Sequence, residues 1–328
     1  MLPRNIFNRV KVDGAYLLGR EQLNAFPFEV AIGITNRCNL DCTFCPNKYS
    51  KMPRGNISLD LLDYLLAQVA PYVDMVDLSF DGEPFLHPEW EKCVELCHKH
   101  GVRAILQTNC LMLDEAVIHK IFQVGLDAII LSIDAATRET YYRLKPGGDY
   151  RRVMKNAERF LQFSHGNRRR PHITIQFVRS PENAHEKNAF INRWEGKGAD
   201  FIRIKPMFNF SGSVGNTYLR QDNKPCILLW TSLSIHWNGT VPLCCMEIEG
   251  RQPMGDATVE SLLKIVDNEA FLSVRKLHLA GQSCKHSICR QCDVPSVSWP
   301  FVAGSVFVDD FLRRRLIGFS HKIGLLQN

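Results

Sequence analysis

The sequence has no run of about 18 uninterrupted apolar residues, the least a membrane-spanning helix requires, so no membrane span is expected. It also lacks a signal-peptide apolar stretch, because Arg4, Arg9, Lys11, Asp13 and Arg20 interrupt the first 25 residues. A cytoplasmic location follows as the expectation. A strong charge of one sign is missing too: 40 basic residues against 34 acidic give +6 over 328 residues, and nucleic acid is not an expected partner. There is no internal repeat and no low-complexity tract, which excludes solenoids and compositionally biased linkers. What remains is an ordinary globular composition, 45% hydrophobic and 23% charged, with a mean hydropathy of -0.15. The length leaves room for one large α/β domain and a smaller module.

Cysteine is abundant. Twelve cysteines without an export signal do not suit a disulfide framework, so they read as metal ligands, reactive thiols or core filler. They divide into an early group (Cys38, Cys42, Cys45), a scattered middle (Cys93, Cys97, Cys110) and a late group (Cys226, Cys244, Cys245, Cys284, Cys289, Cys292). The early and late groups suggest two separate sites. Cys93 and Cys97 lie four apart on one helix face and read as core.

Short apolar runs alternate with amphipathic segments, the pattern of parallel strands joined by crossover helices. Strands are expected at Val30–Ile34, Met75–Phe80, Val102–Thr108, Ala128–Ile133, Ile173–Val178 and Ile202–Met207. Six strands suffice for a partial (β/α)6 barrel. Helices are expected after Ser58, between Pro88 and Gly101, and between Asp114 and Gly125, with Ser58 and Asp114 as N-caps and the glycines just past the ends. Strand parity sends Ile129, Leu131, Ile133, Ile173, Ile175, Phe177, Ile202 and Ile204 toward the helices. It turns Ser132, Asp134, Gln176, Arg203, Lys205 and Met207 inward, which predicts a polar interior. The loop Asn209–Asn216 ends the alternation. The expected division is an N-terminal extension (1–28), a barrel (29–215), an auxiliary module (216–295) and a C-terminal tail (296–328) that mixes Phe and Leu with Arg313, Arg314 and Arg315.

Cys38-Asn-Leu-Asp-Cys42-Thr-Phe-Cys45 follows the first strand as a CxxxCxxC loop. Three thiolates at this spacing can wrap one face of a 4Fe–4S cubane, which takes four ligands, so one iron stays open. An open coordination position marks chemistry rather than structure. A zinc half-site and three unrelated buried thiols are the alternatives. After the second strand comes Asp81-Gly82-Glu83-Pro84.

On these motifs, roughly residues 28–208 resemble the radical S-adenosylmethionine enzymes. The resemblance implies that S-adenosylmethionine chelates the open iron and is cleaved to a 5′-deoxyadenosyl radical. It implies Phe44 beside the adenine, Gly82 and Glu83 in the loop that contacts the methionine amino group, and Asp81 where the family has glycine. Ser132, Asp134 and Gln176 fall where the family binds the ribose and methionine portions, and Arg143 where relatives pair with the methionine carboxylate. Cys110 stands where the family usually has glycine.

The late group, Cys226, Cys244 and the pair Cys289-Arg-Gln-Cys292, suits a fully ligated second 4Fe–4S cluster or a structural zinc. It resembles the SPASM and shortened twitch extensions, down to the WNGTVPLCC strand-turn-strand. The intervals of 18 residues from Cys226 to Cys244 and 45 from Cys244 to Cys289 look like those of aminocyclitol dehydrogenases. No cysteine follows Cys292, so one auxiliary cluster is expected, with Cys284 as an alternative ligand.

About 28 residues precede the first strand, fewer than the leader-recognition domain of peptide-modifying relatives, which favours a small polar substrate. The resemblance further implies an external one-electron donor such as a flavodoxin or ferredoxin. The leading expectation is oxidation of a carbohydrate-like alcohol. Lys205 would accept the hydroxyl proton, Arg203 would hold polar groups, and the auxiliary cluster would take the electron. An epimerase that uses Cys245 as hydrogen donor, a ribosomal-peptide maturase and a non-catalytic zinc scaffold are the other readings. Strand alternation would turn Cys245 away from Cys244, into a small core.

Overall fold

A parallel sheet covered by helices needs apolar strands and short, well-capped helices that return the chain to the same end. The computed structural model describes residues 5–215 and 224–294, and within them this requirement is met. Helix α1 (Ile6–Leu17) leads to β1 (Glu29–Ile32), α2 (Leu59–Val69), β2 (Met75–Asp77), α3 (Trp90–Lys99), β3 (Arg103–Thr108), α4 (Glu115–Val124) and β4 (Ala128–Ser132). Helices α5 (Arg138–Leu144) and α6 (Tyr150–Ser164) follow, then β5 (His172–Arg179), α7 (Lys187–Trp194) and β6 (Phe201–Pro206). Ser58 accepts the amide of Leu61 and Asp114 that of Val117, while Gly125 closes α4 at φ 71°. All six expected strands are present. The expected C-terminal tail lies outside the described residues, and within those residues no helix is long and apolar enough to cross a membrane.

The expectation of six strands needs one correction. The cysteine-rich segment contributes α8 (Leu228–Thr231), β7 (Ser232–Ile235), β8 (Thr240–Pro242), β9 (Pro253–Asp256), α9 (Leu262–Ile265), α10 (Glu269–Leu279) and α11 (Ser287–Arg290). Strand β7 pairs in parallel with β1, Val30 opposite Leu233, and the sheet runs β6-β5-β4-β3-β2-β1-β7. Its four residues are too few to show a period, yet they cover what would otherwise be an open edge. Strands β8 and β9 form a separate antiparallel pair.

The outer face is as apolar as parity predicts: Leu106, Ile129, Leu131, Ile133, Ile173, Ile175 and Phe177 are wholly buried beneath the helices. The interior is divided. Met75, Ile105, Ala128 and Ile130 form their own apolar cluster inside the barrel, and the polar interior begins only beyond them, at Asp77, Gln107, Ser132, Gln176 and Lys205. The floor is therefore packed, and the strands' C-terminal ends are left for chemistry.

Candidate active site

The CxxxCxxC loop follows β1 and is pinned by backbone hydrogen bonds to the end of α5 and the residues just after it, from Thr43 N–H to Leu144 O (2.9 Å) and Asp41 N–H to Pro146 O (3.2 Å). Cys38 is exposed, and Cys42 and Cys45 are half-buried. Gly82 fixes the loop from the other side. Its φ is 110°, and a Cβ there would lie 2.4 Å from Thr35 O and 2.7 Å from Arg37 O, so glycine alone allows the approach. Glu83 N–H donates to Arg37 O at 2.8 Å.

The neighbouring Asp81 explains itself only across the molecule. Its Oδ2 lies 2.7 Å from Nδ1 of His236, which follows β7, and both side chains are buried. Burial pushes the Asp81 carboxyl up, and the bond to His236 opposes the shift. A Cβ on Gly33 would stand 1.9 Å from Asp81 Oδ1, so glycine just past β1 leaves the space that the carboxylate occupies. Gly33 N–H in turn donates to Ile235 O, one residue before His236. The loop and the cysteine-rich segment are thereby joined by a buried polar contact.

Above the apolar floor lies a cavity of about 390 Å³. Phe44, Cys45, Gly82, Ser132, Gln176, Lys205 and Cys245 all line it, which brings residues from both expected parts of the chain to one space. Ser132 accepts from Gln176 Nε2 (3.1 Å), and Arg203 donates to the side-chain carbonyls of Gln176 and Gln107, so Arg203 props the wall rather than reaching the open space. Lys205 is held down to about 8 by burial and then by the Arg203 charge.

Three expected cofactor contacts are placed differently. Glu83 is buried, and its carboxylate accepts from Thr108 Oγ1 and Asn109 N–H, both at 2.8 Å, so it ties the loop to the end of β3. Burial pushes it up to about 7. Asp134 is wholly enclosed with φ 66°, accepting from Val178 N–H (2.7 Å) and pairing with Lys145 Nζ (2.7 Å). Arg143 is exposed on α5 and donates to Thr140 Oγ1. Cys245 lies beyond the end of β8 at Pro242, so strand alternation does not set its direction, and it lines the cavity rather than a core. Burial lifts its thiol to about 12, so it carries its hydrogen at neutral pH.

Four of the late cysteines share one cavity. Cys226, Cys244, Cys289 and Cys292 line one small cavity, with Ser211 and His278 among the other wall residues, while Cys284 is exposed and apart. Burial and the adjacent thiols raise Cys244 well above its ordinary value. Among the described residues no three Cys, His, Asp or Glu side chains converge on a point that one metal ion could fill.

Comparison with known proteins agrees with this geometry. Residues 32–168 match the radical SAM superfamily and residues 226–293 the SPASM iron-sulfur cluster-binding domain. The chain carries a radical SAM domain followed by an SPASM domain. An uncharacterized protein of Methanocaldococcus jannaschii is 34% identical over 41% of this chain and 44% of its own length. The AdoMet-dependent heme synthase of Methanosarcina barkeri is 27% identical over 40% of this chain and 38% of its own. The chain thus spans about two fifths of the length of these curated relatives. Among solved structures, BtrN in complex with AdoMet and 2-DOIA is similar at 18% identity and a TM-score of 0.56, over 83% of this chain and 94% of that one. Streptococcus suis SuiB bound to the precursor peptide SuiA reaches a TM-score of 0.66 at 14% identity, over 92% and 76%. These likenesses show the fold.

The cofactors of a radical SAM enzyme with an SPASM domain are 4Fe–4S clusters and S-adenosylmethionine. The cavity fits them: the loop that bears the three thiols follows β1, and its Phe44 and Cys45 line the open space. Sequence reasoning missed Lys145, a buried cation that pairs with Asp134, donates to Ser132 O and sets its charge near Cys38, Cys42 and Cys45. The only signal was a lysine in an otherwise loop-like KPGGD stretch. Cys110 resolves as core: it is wholly buried with φ 69°, a left-handed backbone at which glycine is the ordinary choice.

Proposed function

We propose that this radical SAM enzyme oxidises an alcohol carbon of a small polar molecule, carbohydrate- or aminocyclitol-like, to a ketone. Lys205 carries the reading: a primary amine at about 8 in the cavity wall is a base matched to neutral or mildly alkaline pH. When bound, S-adenosylmethionine on the first cluster supplies hydrogen abstraction, and the second cluster supplies an electron sink. The protein's own part is to hold the substrate hydroxyl toward Lys205 Nζ, which takes the proton. Ser132, Gln176 and Arg203 form one hydrogen-bonded array across β4, β5 and β6 that keeps this wall rigid. Phe44, Phe80 and Phe208 give the space part of its apolar lining. The ligand sets proposed are Cys38, Cys42 and Cys45 for the first cluster, and Cys226, Cys244, Cys289 and Cys292 for the second. The electron donor is proposed to be an external flavodoxin or ferredoxin.

Cys245 favours a second reading, epimerisation, because a thiol that stays protonated at the cavity wall can return a hydrogen atom. Incubation with a panel of aminocyclitols and sugars in D2O separates the two. Oxidation consumes one S-adenosylmethionine per ketone, places no deuterium on the reacting carbon and persists in Cys245→Ala. Product carrying one deuterium, together with an inactive Cys245→Ala variant, would reverse the order.

A further inference from the structure

The loop that marks the end of the barrel, Asn209–Asn216 in sequence and described as far as Gly215, is fastened onto the last cysteine pair. Both carboxylate oxygens of Asp293 accept from Asn209 N–H at 3.0 Å, and Asn209 Nδ2 donates to Gln291 O at 2.7 Å. Three successive residues, Phe210, Ser211 and Gly212, then adopt positive φ of 48°, 56° and 86°. Two of the three are not glycine, a conformation that persists only when the surroundings impose it. Its result is to place Ser211, 1% exposed, in the wall of the cavity that holds Cys226, Cys244, Cys289 and Cys292. Among the described residues Ser211 Oγ has no hydrogen-bond partner.

A second polar group shares that wall. His278, on α10 and 1% exposed, accepts Cys226 N–H at Nδ1 (3.2 Å), so in the neutral ring the proton resides on Nε2 and makes that atom a donor. Most of the remaining lining is aliphatic or thioether: Leu228, Leu229, Met246 and Ile288. A buried hydroxyl without a protein acceptor is costly unless what fills the cavity accepts from it, and sulfur carrying negative charge does so.

We propose that Ser211 and His278 donate hydrogen bonds to the sulfur shell of the auxiliary cluster and raise its reduction potential, fitting it to receive an electron. Donors to cluster sulfur favour the reduced, more negative state over the oxidised one, which is why such bonds move the potential upward. The proposal rests on the reading of these four thiols as cluster ligands. It gives the barrel-end loop a function that its composition does not announce.

The test is an EPR-monitored redox titration of the full chain, reconstituted anaerobically, with iron counted in every sample. Ser211→Gly removes the hydroxyl while suiting the left-handed backbone, and His278→Phe removes the ring donor. Each is expected to change the ratio of oxidised to reduced auxiliary cluster about tenfold at fixed potential, about 59 mV toward negative values for one electron, with iron content unchanged. His278→Gln, which keeps an N–H donor, is expected to recover most of the shift. Wild-type midpoints in both Ser211→Gly and His278→Phe, at full iron, would overturn the proposal, and if His278→Phe fails to load, Ser211→Gly decides alone. A Cys289→Ala, Cys292→Ala double variant separates this from the ligand reading. Loss of about four irons alongside an unmoved Ser211→Gly midpoint rejects only the tuning, whereas full iron in the double variant rejects the ligands and the tuning together.

Discussion

Replacement of Cys38, Cys42 and Cys45 by alanine is expected to abolish formation of 5′-deoxyadenosine and to remove about four of roughly eight irons, the content of two cubanes. The loop that bears these thiols is held by the end of α5 and the residues after it on one side and by Gly82 on the other, and none of these contacts depends on the cysteine side chains. The triple variant should therefore fold. It should also keep the second cluster, because Cys226, Cys244, Cys289 and Cys292 surround a different cavity. Iron analysis and chromatography of S-adenosylmethionine products check both halves of the expectation. A triple variant that still makes 5′-deoxyadenosine would contradict the assignment of this loop to the first cluster.

The second large effect is expected at Lys205. Lys205→Met keeps the length and apolar stem but removes the proton acceptor, and positioned general bases contribute about 10²–10⁴ in rate. Turnover should fall within that range. The amine is lowered from its ordinary value to about 8, so its neutral, proton-accepting fraction grows as pH rises through 8. The wild-type rate should climb across that interval and level off above it, and Lys205→Met should lose the climb. Lys205→Arg should behave like the methionine variant, since a guanidinium stays charged throughout. A Lys205→Met enzyme with wild-type turnover would remove this residue from the chemistry.

What the sequence made legible follows from how local each signal is. The six barrel strands and the caps at Ser58 and Asp114 are encoded by runs of neighbouring residues, and each stands where period and capping place it. The CxxxCxxC loop is equally local, and the four thiols singled out from the late group line one cavity. Strand β7 was hidden because Ser232–Ile235 earns its place by pairing with β1, some two hundred residues earlier, and not by its own pattern. The same holds for side chains whose role is set by a distant partner. Asp81 looked like a neutral departure from a glycine until His236 was found against it, and Asp134 looked like a cofactor contact until Lys145 was found to neutralise it. Parity predicted the direction of Asp134 but not whether the space there was open or filled. For Cys245 the premise failed: it was expected to alternate with Cys244 along a strand, but β8 ends at Pro242, and Cys245 lines the cavity.

The most direct measurement is the EPR spectrum of the anaerobically reduced protein, taken with and without S-adenosylmethionine. Two separate sites, only one of them with an open iron, predict two cluster signals. S-adenosylmethionine should perturb only the one that disappears in the Cys38→Ala, Cys42→Ala, Cys45→Ala variant, and leave unchanged the one that disappears in the Cys289→Ala, Cys292→Ala variant. A single cluster signal, or a response to S-adenosylmethionine that survives the triple variant, would contradict it.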